Sequence, residues 1–307
     1  MNKKCISTRE SPLALWQAEH VAQLMKETQP GLEVSLLGMT TKGDRILDRA
    51  LSKVGGKDLF VKEIENALLD GRAQVAVHSL KDVPTTLPDG LVITAYPKRE
   101  DPRDALVSPQ GFTFETLPKG ARIGTSSLRR AAQFLHHRPD LEIVPIRGNV
   151  QTRIRRMKDE NMHGTILAYA GLKRLKMEEY VSEIISQDMC LPAVGQGILA
   201  VETRIDDDDT NSIVSALDDR DTRACAECER GFLATLEGGC QVPIAGHATV
   251  KSSEIYLKGL VASLDGKTIY RAESKGPVSD ALSVGVSVAN FVLEQGADKV
   301  LSSLKHT

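Results

Sequence analysis

Short β-rich runs alternate with longer amphipathic runs through the first third of the chain. Residues 4–8, 32–39 and 73–77 have the short pattern of strands, and the run 73–77 is apolar enough to predict a buried one. Residues 12–28 and 58–70 repeat apolar positions at the spacing that predicts helices. Strands that alternate with helices favour parallel βαβ units.

A second alternation follows residues 98–104, a charged and proline-interrupted run that predicts a domain crossing. Residues 192–197 predict a hinge, and residues 198–204 are again strand-like and are expected to return to the first sheet. Two domains joined by such paired crossovers would enclose a cleft. The elements predicted between the two crossings are strands at 105–108, 122–125, 141–146 and 164–169, with helices starting near Ser126, Asn149 and Gly171.

The pattern changes after Cys240. A helical stretch at 220–237 precedes this residue, and three successive strands and one helix follow it. Strands in succession before one helix describe a small α+β domain. The strands are predicted at 244–250, 254–263 and 267–274, and the helix at 278–295. The predicted domains are residues 1–98 with 198–217, residues 99–197, and residues 218–307.

Composition excludes several classes of protein. The chain has 307 residues, 41% of them hydrophobic and 26% charged, which predicts a folded protein of more than one domain. Its 39 Lys and Arg against 41 Asp and Glu give a net charge of −2, which disfavours a general DNA-binding protein.

No run approaches the roughly 18–20 apolar residues of a membrane helix, and the first residues lack an apolar signal core. Five thinly spread cysteines suit a reducing compartment, so we expect a cytoplasmic protein without a membrane partner.

Positive charge is concentrated in one segment. Residues 122–180 contain twelve Lys or Arg and six Asp or Glu, a net charge of +6 that leaves −8 for the remainder. Arginines beside the unpaired N–H groups of a helix start suit a carboxylate or a phosphate, whereas the alternative is a basic solvated surface. RNA binding would call for aromatic side chains, and only 4% of residues are aromatic, so a small polyanion is favoured. The candidates at the two predicted helix starts are Ser127, Arg129 and Arg130, and then Arg147 and Arg153.

Two further residues are candidates for chemistry. Asp82 follows the strand at 73–77, at the functional edge of a βαβ sheet, and the adjacent Lys81 would hold it ionised; otherwise Asp82 is an ordinary turn or capping residue. Cys240 follows two glycines on a predicted loop. An accessible thiol there is a candidate nucleophile or covalent attachment point, with an ordinary loop thiol as the alternative.

Other polar residues are interpreted as structural. His78 is expected to be a packed residue at a strand end, and Cys225 and Cys228 to be buried thiols of one helix. The acidic run 206–209 is typical of a helix start, where carboxylates suit the helix dipole. No metal site is predicted.

The sequence closely resembles the porphobilinogen deaminase family, whose members are also called hydroxymethylbilane synthases. The resemblance extends over nearly the whole chain and depends on many ordered blocks. These blocks are residues 8–17, 53–57, 77–84, 99–104, 124–130, 147–150, 170–174, 191–197 and 236–243.

The resemblance implies a transferase of porphyrin, haem and tetrapyrrole biosynthesis. Such an enzyme deaminates four porphobilinogen molecules and joins them into linear hydroxymethylbilane, on a dipyrromethane cofactor bound by a thioether to Cys240. The family's catalytic aspartate corresponds to Asp82. The implied fold is α/β, with two domains like periplasmic binding proteins, a cleft between them and a small C-terminal α+β domain. The implied cofactor-binding residues are Lys81, Ser127, Arg129, Arg130 and Arg147, and the implied substrate-binding residues are Arg9, Ser11, Gln17, Arg153 and Arg174.

The chemistry of the implied substrate explains these residue types. Each pyrrole carries an acetate and a propionate, so a growing pyrrole chain needs many cationic side chains as partners. Loss of ammonia creates a cation on the substrate, and an ionised carboxylate can stabilise that cation. Two rivals stay open: a non-catalytic anion-binding protein on the same scaffold, and an RNA-binding protein with salt-dependent affinity. We expect a monomer with porphobilinogen and hydroxymethylbilane as its ligands and no nucleic-acid partner.

Overall fold

The structure is a computed structural model that describes residues 3–41, 58–237 and 242–305. The chain divides into two compact units, Met1–Glu100 with Ile198–Arg223, and Asp101–Gly197 with Ala224–Thr307. The division into three domains stays a prediction. Cys240 and residues 53–57, one block of the resemblance, lie outside the described residues.

Strands and helices alternate along most of the chain. Up to Glu100 they are β1 (Lys3–Arg9), α1 (Pro12–Thr28), β2 (Glu33–Met39), α2 (Asp58–Leu69), β3 (Val75–Ser79) and β4 (Leu91–Ala95). From Asp101 to Gly197 they are β5 (Asp104–Val107), β6 (Arg122–Gly124), α3 (Leu128–His137), β7 (Glu142–Val144), α4 (Val150–Asp159), β8 (Gly164–Ala168), α5 (Tyr169–Arg174) and β9 (Val181–Ile184). The elements that follow are β10 (Leu199–Arg204), α6 (Asp208–Ser215), α7 (Arg220–Thr235), β11 (Ile244–Lys251), β12 (Glu254–Ala262), β13 (Ile269–Pro277), α8 (Ala281–Val292) and α9 (Asp298–Lys305). None of the helices in these described ranges has the length and hydrophobicity needed to span a bilayer.

A mixed sheet with the strand order β2-β1-β3-β10-β4 forms the centre of the first unit. β1 is parallel to β2 and to β3, as the alternation of strands and helices predicts. β10 joins this sheet, which confirms the expected return of residues 198–204, but it runs antiparallel to β3 and β4. The sequence pattern predicts the return of this strand but not its direction. Parallel neighbours need a crossover connection, and the chain enters β10 directly from residues 192–197.

Helices cover both faces of this first sheet. Val75 and Val77 pack in one cluster with Met25 of α1, whereas Ala76 packs in another with Ile64 of α2. The side chains from Val75 to His78 are thus buried in succession, on alternate faces, and Ser79 at the end of the strand is partly exposed. Burial on both faces explains why this strand is a continuous apolar run in the sequence.

The second unit contains a five-stranded sheet of order β7-β6-β8-β5-β9. β6 is parallel to β7 and β8, whereas β5 is antiparallel to both of its neighbours. The chain enters β5 from residues 98–104, the predicted domain crossing, and no helix precedes the strand directly, as is also true of β10. Neither β4 nor β9 is predicted by the sequence pattern.

A three-stranded antiparallel sheet, β11-β12-β13, follows within the same unit. Phe232 of α7 and Val288 of α8 are fully buried in its core. A Cβ atom at Gly259 of β12 would lie 2.6 Å from Cε2 of Phe232, so the aromatic ring occupies the space that a side chain would need. Three strands followed by a helix confirm the small C-terminal α+β fold, and the fold class as a whole is α/β, as predicted.

Residues 192–197, the predicted hinge, make hydrogen bonds within the second unit. Pro192 accepts a hydrogen bond from the Gly246 N–H of β11 at 3.1 Å. Glu229 of α7 is fully buried; its two carboxylate oxygens accept from the N–H groups of Gly195, at 2.6 Å, and Ala248, at 2.7 Å. This carboxylate therefore joins the segment before β10 to the three-stranded sheet.

The packing of α8 on α7 leads to a first prediction. A Cβ atom at Gly285 would lie 2.1 Å from the Cys228 carbonyl oxygen, so alanine there must push the two helices apart. We expect Gly285→Ala to lower the free energy of unfolding by about 1–3 kcal/mol. Asn290→Ala, at an exposed position of the same helix, should change it by less than about 0.5 kcal/mol. Thermal unfolding of both variants measures the difference, and equal melting temperatures would contradict the close approach.

Candidate active site

Asp82 lies in a single turn at the carboxyl end of β3. The strand ends at Ser79 and residues Leu80–Asp82 form one turn of 3₁₀ helix. The Leu80 N–H donates to the Ile198 carbonyl at 3.0 Å, and the Val83 N–H closes the turn onto the Leu80 carbonyl at 3.0 Å. Lys81 and Asp82 are both partly exposed. The carboxylate is therefore placed at the predicted edge of the sheet and within reach of a ligand.

The other predicted residues of the first unit lie at the same edge. Arg9 ends β1, which is parallel to β3, so the carboxyl ends of the two strands are neighbours. Ser11 caps α1 by accepting a hydrogen bond from the Ala14 N–H at 3.3 Å. Gln17 is buried, and its Nε2 donates to Ser79 Oγ at 3.0 Å. The structure thus brings Arg9, Ser11, Gln17, Lys81 and Asp82 to one edge of one sheet.

His78 is a buried strand residue, which confirms its structural interpretation. Its Nε2 lies 2.8 Å from Oε2 of Glu202 on β10, and both side chains are buried. The other carboxylate oxygen of Glu202 has no hydrogen-bond partner within the described residues. The pair joins β3 to β10 just before the turn that carries Asp82. The sequence does not single out Glu202, because no local pattern shows that it pairs with His78, 124 positions away.

Arg129 and Arg130 lie in the first turn of α3 and are almost entirely buried, with only 5% and 6% of each residue exposed. The alternative of a basic solvated surface is therefore wrong for these two residues. Ser127 caps the helix, and its Oγ accepts from the Arg130 N–H at 3.5 Å. A buried guanidinium group needs a partner of opposite charge or a set of acceptors.

Asp104, the first residue of β5, is that partner. It is fully buried, and its two oxygens contact Arg129 Nη1 at 2.8 Å and Arg130 Nη2 at 2.7 Å. Burial by itself would raise the pKa of Asp104, but the two guanidinium groups outweigh it and hold the pKa well below its usual range. The carboxylate is thus ionised at neutral pH, and the three residues carry a net charge of +1. In the sequence, residue 104 belongs to the predicted domain crossing and to the block 99–104 of the resemblance, and neither predicts this pairing.

Of the remaining predicted arginines, Arg147 and Arg153 lie beside the start of α4, at the carboxyl edge of the second unit's sheet. Arg147 follows β7 and precedes Asn149, which caps α4 by accepting from the Thr152 N–H at 2.8 Å. Arg153 Nε donates to the Gly148 carbonyl at 2.7 Å. Arg174, at the end of α5, is buried and its Nη2 donates to the Gly197 carbonyl at 2.8 Å. Because β6, β7 and β8 are parallel, the turns that follow them meet at one edge, as predicted.

The other candidates behave as structural residues. Cys225 and Cys228 are buried on α7, and burial raises the pKa of the Cys228 thiol to about 12. Asp207 caps α6 by accepting from the Thr210 N–H at 3.1 Å, which confirms the acidic run as a helix start. Among the residues that the structure describes, no group of three or more His, Cys, Asp or Glu side chains is placed to hold a metal ion.

Comparisons with known proteins identify the family. A model of the porphobilinogen deaminase dipyrromethane cofactor binding domain matches residues 5–212, and a model of the porphobilinogen deaminase C-terminal domain matches residues 223–294. Porphobilinogen deaminase from Syntrophotalea carbinolica is 54% identical over 98% of this chain and 96% of its own. The enzyme of the same name from Carboxydothermus hydrogenoformans is 48% identical over the same shares of the two chains. Among solved structures, the methionine binding protein MetQ matches with a TM-score of 0.43 and 14% identity, over 70% of this chain and 89% of that one.

The chain therefore belongs to the porphobilinogen deaminase family. The family, the transferase activity and the dipyrromethane cofactor predicted from the sequence resemblance are confirmed. The chain deaminates porphobilinogen and joins four molecules into hydroxymethylbilane on the dipyrromethane primer, in tetrapyrrole biosynthesis.

Cys190, beside the arginine pair, leads to a second prediction. Complete burial raises the pKa of its thiol to about 12. The thiol is therefore protonated at pH 8 and closed to solvent, so iodoacetamide should leave Cys190 unmodified in the folded protein. Denaturant should expose it to rapid labelling, and peptide mass spectrometry measures both. Cys5, which is partly exposed, is the internal comparison; labelling of Cys190 at the same rate in folded and unfolded protein would contradict its burial.

Proposed function

We propose that Asp82 is the catalytic carboxylate of this enzyme, that Cys240 holds the cofactor, and that the arginines at the two sheet edges bind the carboxylates of cofactor and substrate. One observation carries this proposal. Arg129 and Arg130 are buried and, within the described part of the chain, share one carboxylate, Asp104, so these three side chains have one positive charge in excess. A buried positive charge favours an anionic ligand, and carboxylates fit the planar fork of a guanidinium group.

The residues fit a group that carries several carboxylates. We assign Ser127, Arg129, Arg130, Arg147 and Lys81 to the cofactor, and Arg9, Ser11, Gln17, Arg153 and Arg174 to the substrate. When bound, the dipyrromethane supplies the pyrrole carbon to which the first substrate molecule is joined. The residues of this chain hold the acetate and propionate groups and so orient the reacting carbons.

Asp82 faces the charge that develops in the substrate. Loss of ammonia from the aminomethyl group leaves an electron-deficient methylene carbon on the pyrrole ring. An ionised carboxylate stabilises this cation, and it can then accept the proton that the attacking ring carbon loses. The partly exposed position of Asp82, at the end of a buried strand, supports this role.

We also propose that the protein acts as a cytoplasmic monomer without a nucleic-acid partner. The four described cysteines form no disulfide with one another, which suits a reducing compartment. Burial of Arg129 and Arg130 favours a small anion over a nucleic acid, since a phosphate backbone is bound by exposed side chains. Sedimentation of the purified protein tests the monomer.

The attachment at Cys240 is tested by the intact mass. We expect the purified enzyme to carry an adduct of two deaminated pyrrole units, because a thioether survives denaturation in the spectrometer. Cys240→Ser should have the bare polypeptide mass, while Cys5→Ser, which removes the partly exposed thiol of β1, should keep the adduct. An active enzyme with the bare mass would refute covalent attachment.

The role of Asp82 is tested by turnover. Asp82→Asn keeps the shape and removes the charge, so turnover should fall about 10²–10³-fold or more. Asp82→Glu keeps the charge but displaces it by one methylene group, and it should be slow rather than inactive. Asp89→Asn, an exposed carboxylate a few residues later, is the matched control and should keep the wild-type rate. Wild-type turnover by folded, cofactor-loaded Asp82→Asn would exclude the catalytic role.

A further inference from the structure

Asp104 makes an unusually complete set of hydrogen bonds for a buried carboxylate. Its Oδ1 accepts from Arg130 Nε at 3.1 Å and Nη2 at 2.7 Å, and from Gln196 Nε2 at 2.9 Å. Its Oδ2 lies 2.8 Å from Arg129 Nη1 and accepts from the Cys190 thiol at 3.4 Å. No part of the residue is exposed. Because every contact comes from a donor, the carboxylate is held in one orientation.

The two guanidinium groups also donate hydrogen bonds to backbone carbonyls. Arg130 Nη1 donates to the Ile166 carbonyl of β8 at 2.9 Å, and Arg129 Nη1 donates to the Leu191 carbonyl at 2.8 Å. Backbone carbonyls accept hydrogen bonds but carry no full charge. Among the residues that the structure describes, Asp104 is the carboxylate that these two arginines share, so the three side chains carry a net charge of +1.

We propose that Asp104 is a positioning residue, which orients Arg129 and Arg130 and balances half of their charge until the anionic cofactor is bound. This inference rests on the proposed function, since it takes the two arginines as carboxylate partners of the cofactor. Asp104 itself has no contact with the cofactor in this proposal. It acts through the arginines, by reducing the cost of keeping them buried while no ligand carboxylate is present.

This role predicts a dependence on the cofactor that a simple core residue would not show. Without Asp104, the unloaded protein keeps two unbalanced guanidinium groups in its interior. In the loaded protein, the cofactor's own carboxylates take over part of the balance. Loss of Asp104 should therefore destabilise the unloaded protein more than the loaded one, by the linkage between binding and folding.

The experiment is a cycle of four proteins: Asp104→Asn and its parent, each in the cofactor-loading background and in the Cys240→Ser background. Asparagine keeps the shape, loses the charge and turns an amide donor toward one of the guanidinium groups. We expect Asp104→Asn to lower the melting temperature of the unloaded protein by roughly 6–15 °C, and that of the loaded protein by less than half as much. Equal shifts in the two backgrounds would overturn the proposal, since a purely structural contact is lost equally in both.

Asp140 offers a matched control in the same unit. It pairs with Arg138 through two contacts of 2.7 and 2.8 Å, but near the surface and away from the proposed carboxylate partners. Asp140→Asn should give a small shift of the melting temperature, of equal size in both backgrounds.

Loss of the charge can leave Asp104→Asn too unstable to fold, and each such outcome has its own reading. If Asp104→Asn folds only when the cofactor is loaded, the proposal is supported. If it folds in neither background, Asp104→Glu, which keeps the charge, takes its place in the cycle. The melting temperature of the glutamate variant should then be near that of its parent in the unloaded background. A fall in melting temperature as large as the one that truncation of a buried apolar side chain causes would overturn the charge-balancing role.

Intact mass separates this inference from the function on which it rests. Each protein of the cycle is weighed before it is melted. An adduct in the parent that is absent from Cys240→Ser establishes the loaded and unloaded states independently of Asp104. If both backgrounds have the same mass, attachment at Cys240 has failed; if the masses differ and the two shifts are equal, the role of Asp104 has failed.

Discussion

Two arginine side chains and one aspartate, removed from water together, govern the arrangement of the second unit. A guanidinium group loses its hydration when buried, and the loss is tolerable only if hydrogen bonds and an opposite charge replace it. Arg129 and Arg130 meet this condition through Asp104 and through the carbonyl groups of Ile166 and Leu191. The beginning of β5, the middle of β8 and the segment before residues 192–197 must therefore converge on the start of α3.

The same segment carries this constraint further along the unit. Gln196 donates to Asp104, and the neighbouring Gly195 N–H is bound by Glu229 of α7, which also binds the Ala248 N–H of β11. The helix that bears Glu229 ends at Thr235, five residues before Cys240 in the sequence. Hydrogen bonds within one unit thus connect the arginine pair to the helix that precedes the proposed attachment residue. Residues 192–197, which include one proline and two glycines, are therefore bound by two buried carboxylates, those of Asp104 and Glu229.

The first unit places its carboxylate by simpler means. β3 is apolar because both faces are covered, and its last residues turn once as a 3₁₀ helix at the edge of the sheet. Parallel pairing with β1 brings Arg9 to that edge, and Gln17 of α1 holds Ser79 at the end of the strand. The position of Asp82 follows from topology and needs no special backbone strain. The buried pair of His78 and Glu202 secures the last part of β3 to β10.

By itself, the sequence determined the elements that local pattern encodes: the alternating strands and helices, the three strands of the C-terminal sheet, and the turns that bring Asp82 and the arginines to the ends of parallel strands. Only the tertiary structure decided which charged residues are buried and with what partners. Asp104 lies 26 positions from Arg130, and His78 lies 124 from Glu202, so no local period marks either pair. It also decided that β5 and β10 run antiparallel to their neighbours. An arginine on a solvated surface and an arginine beside a buried carboxylate are the same letter in a sequence, because burial is set by segments that packing brings together from distant parts of the chain.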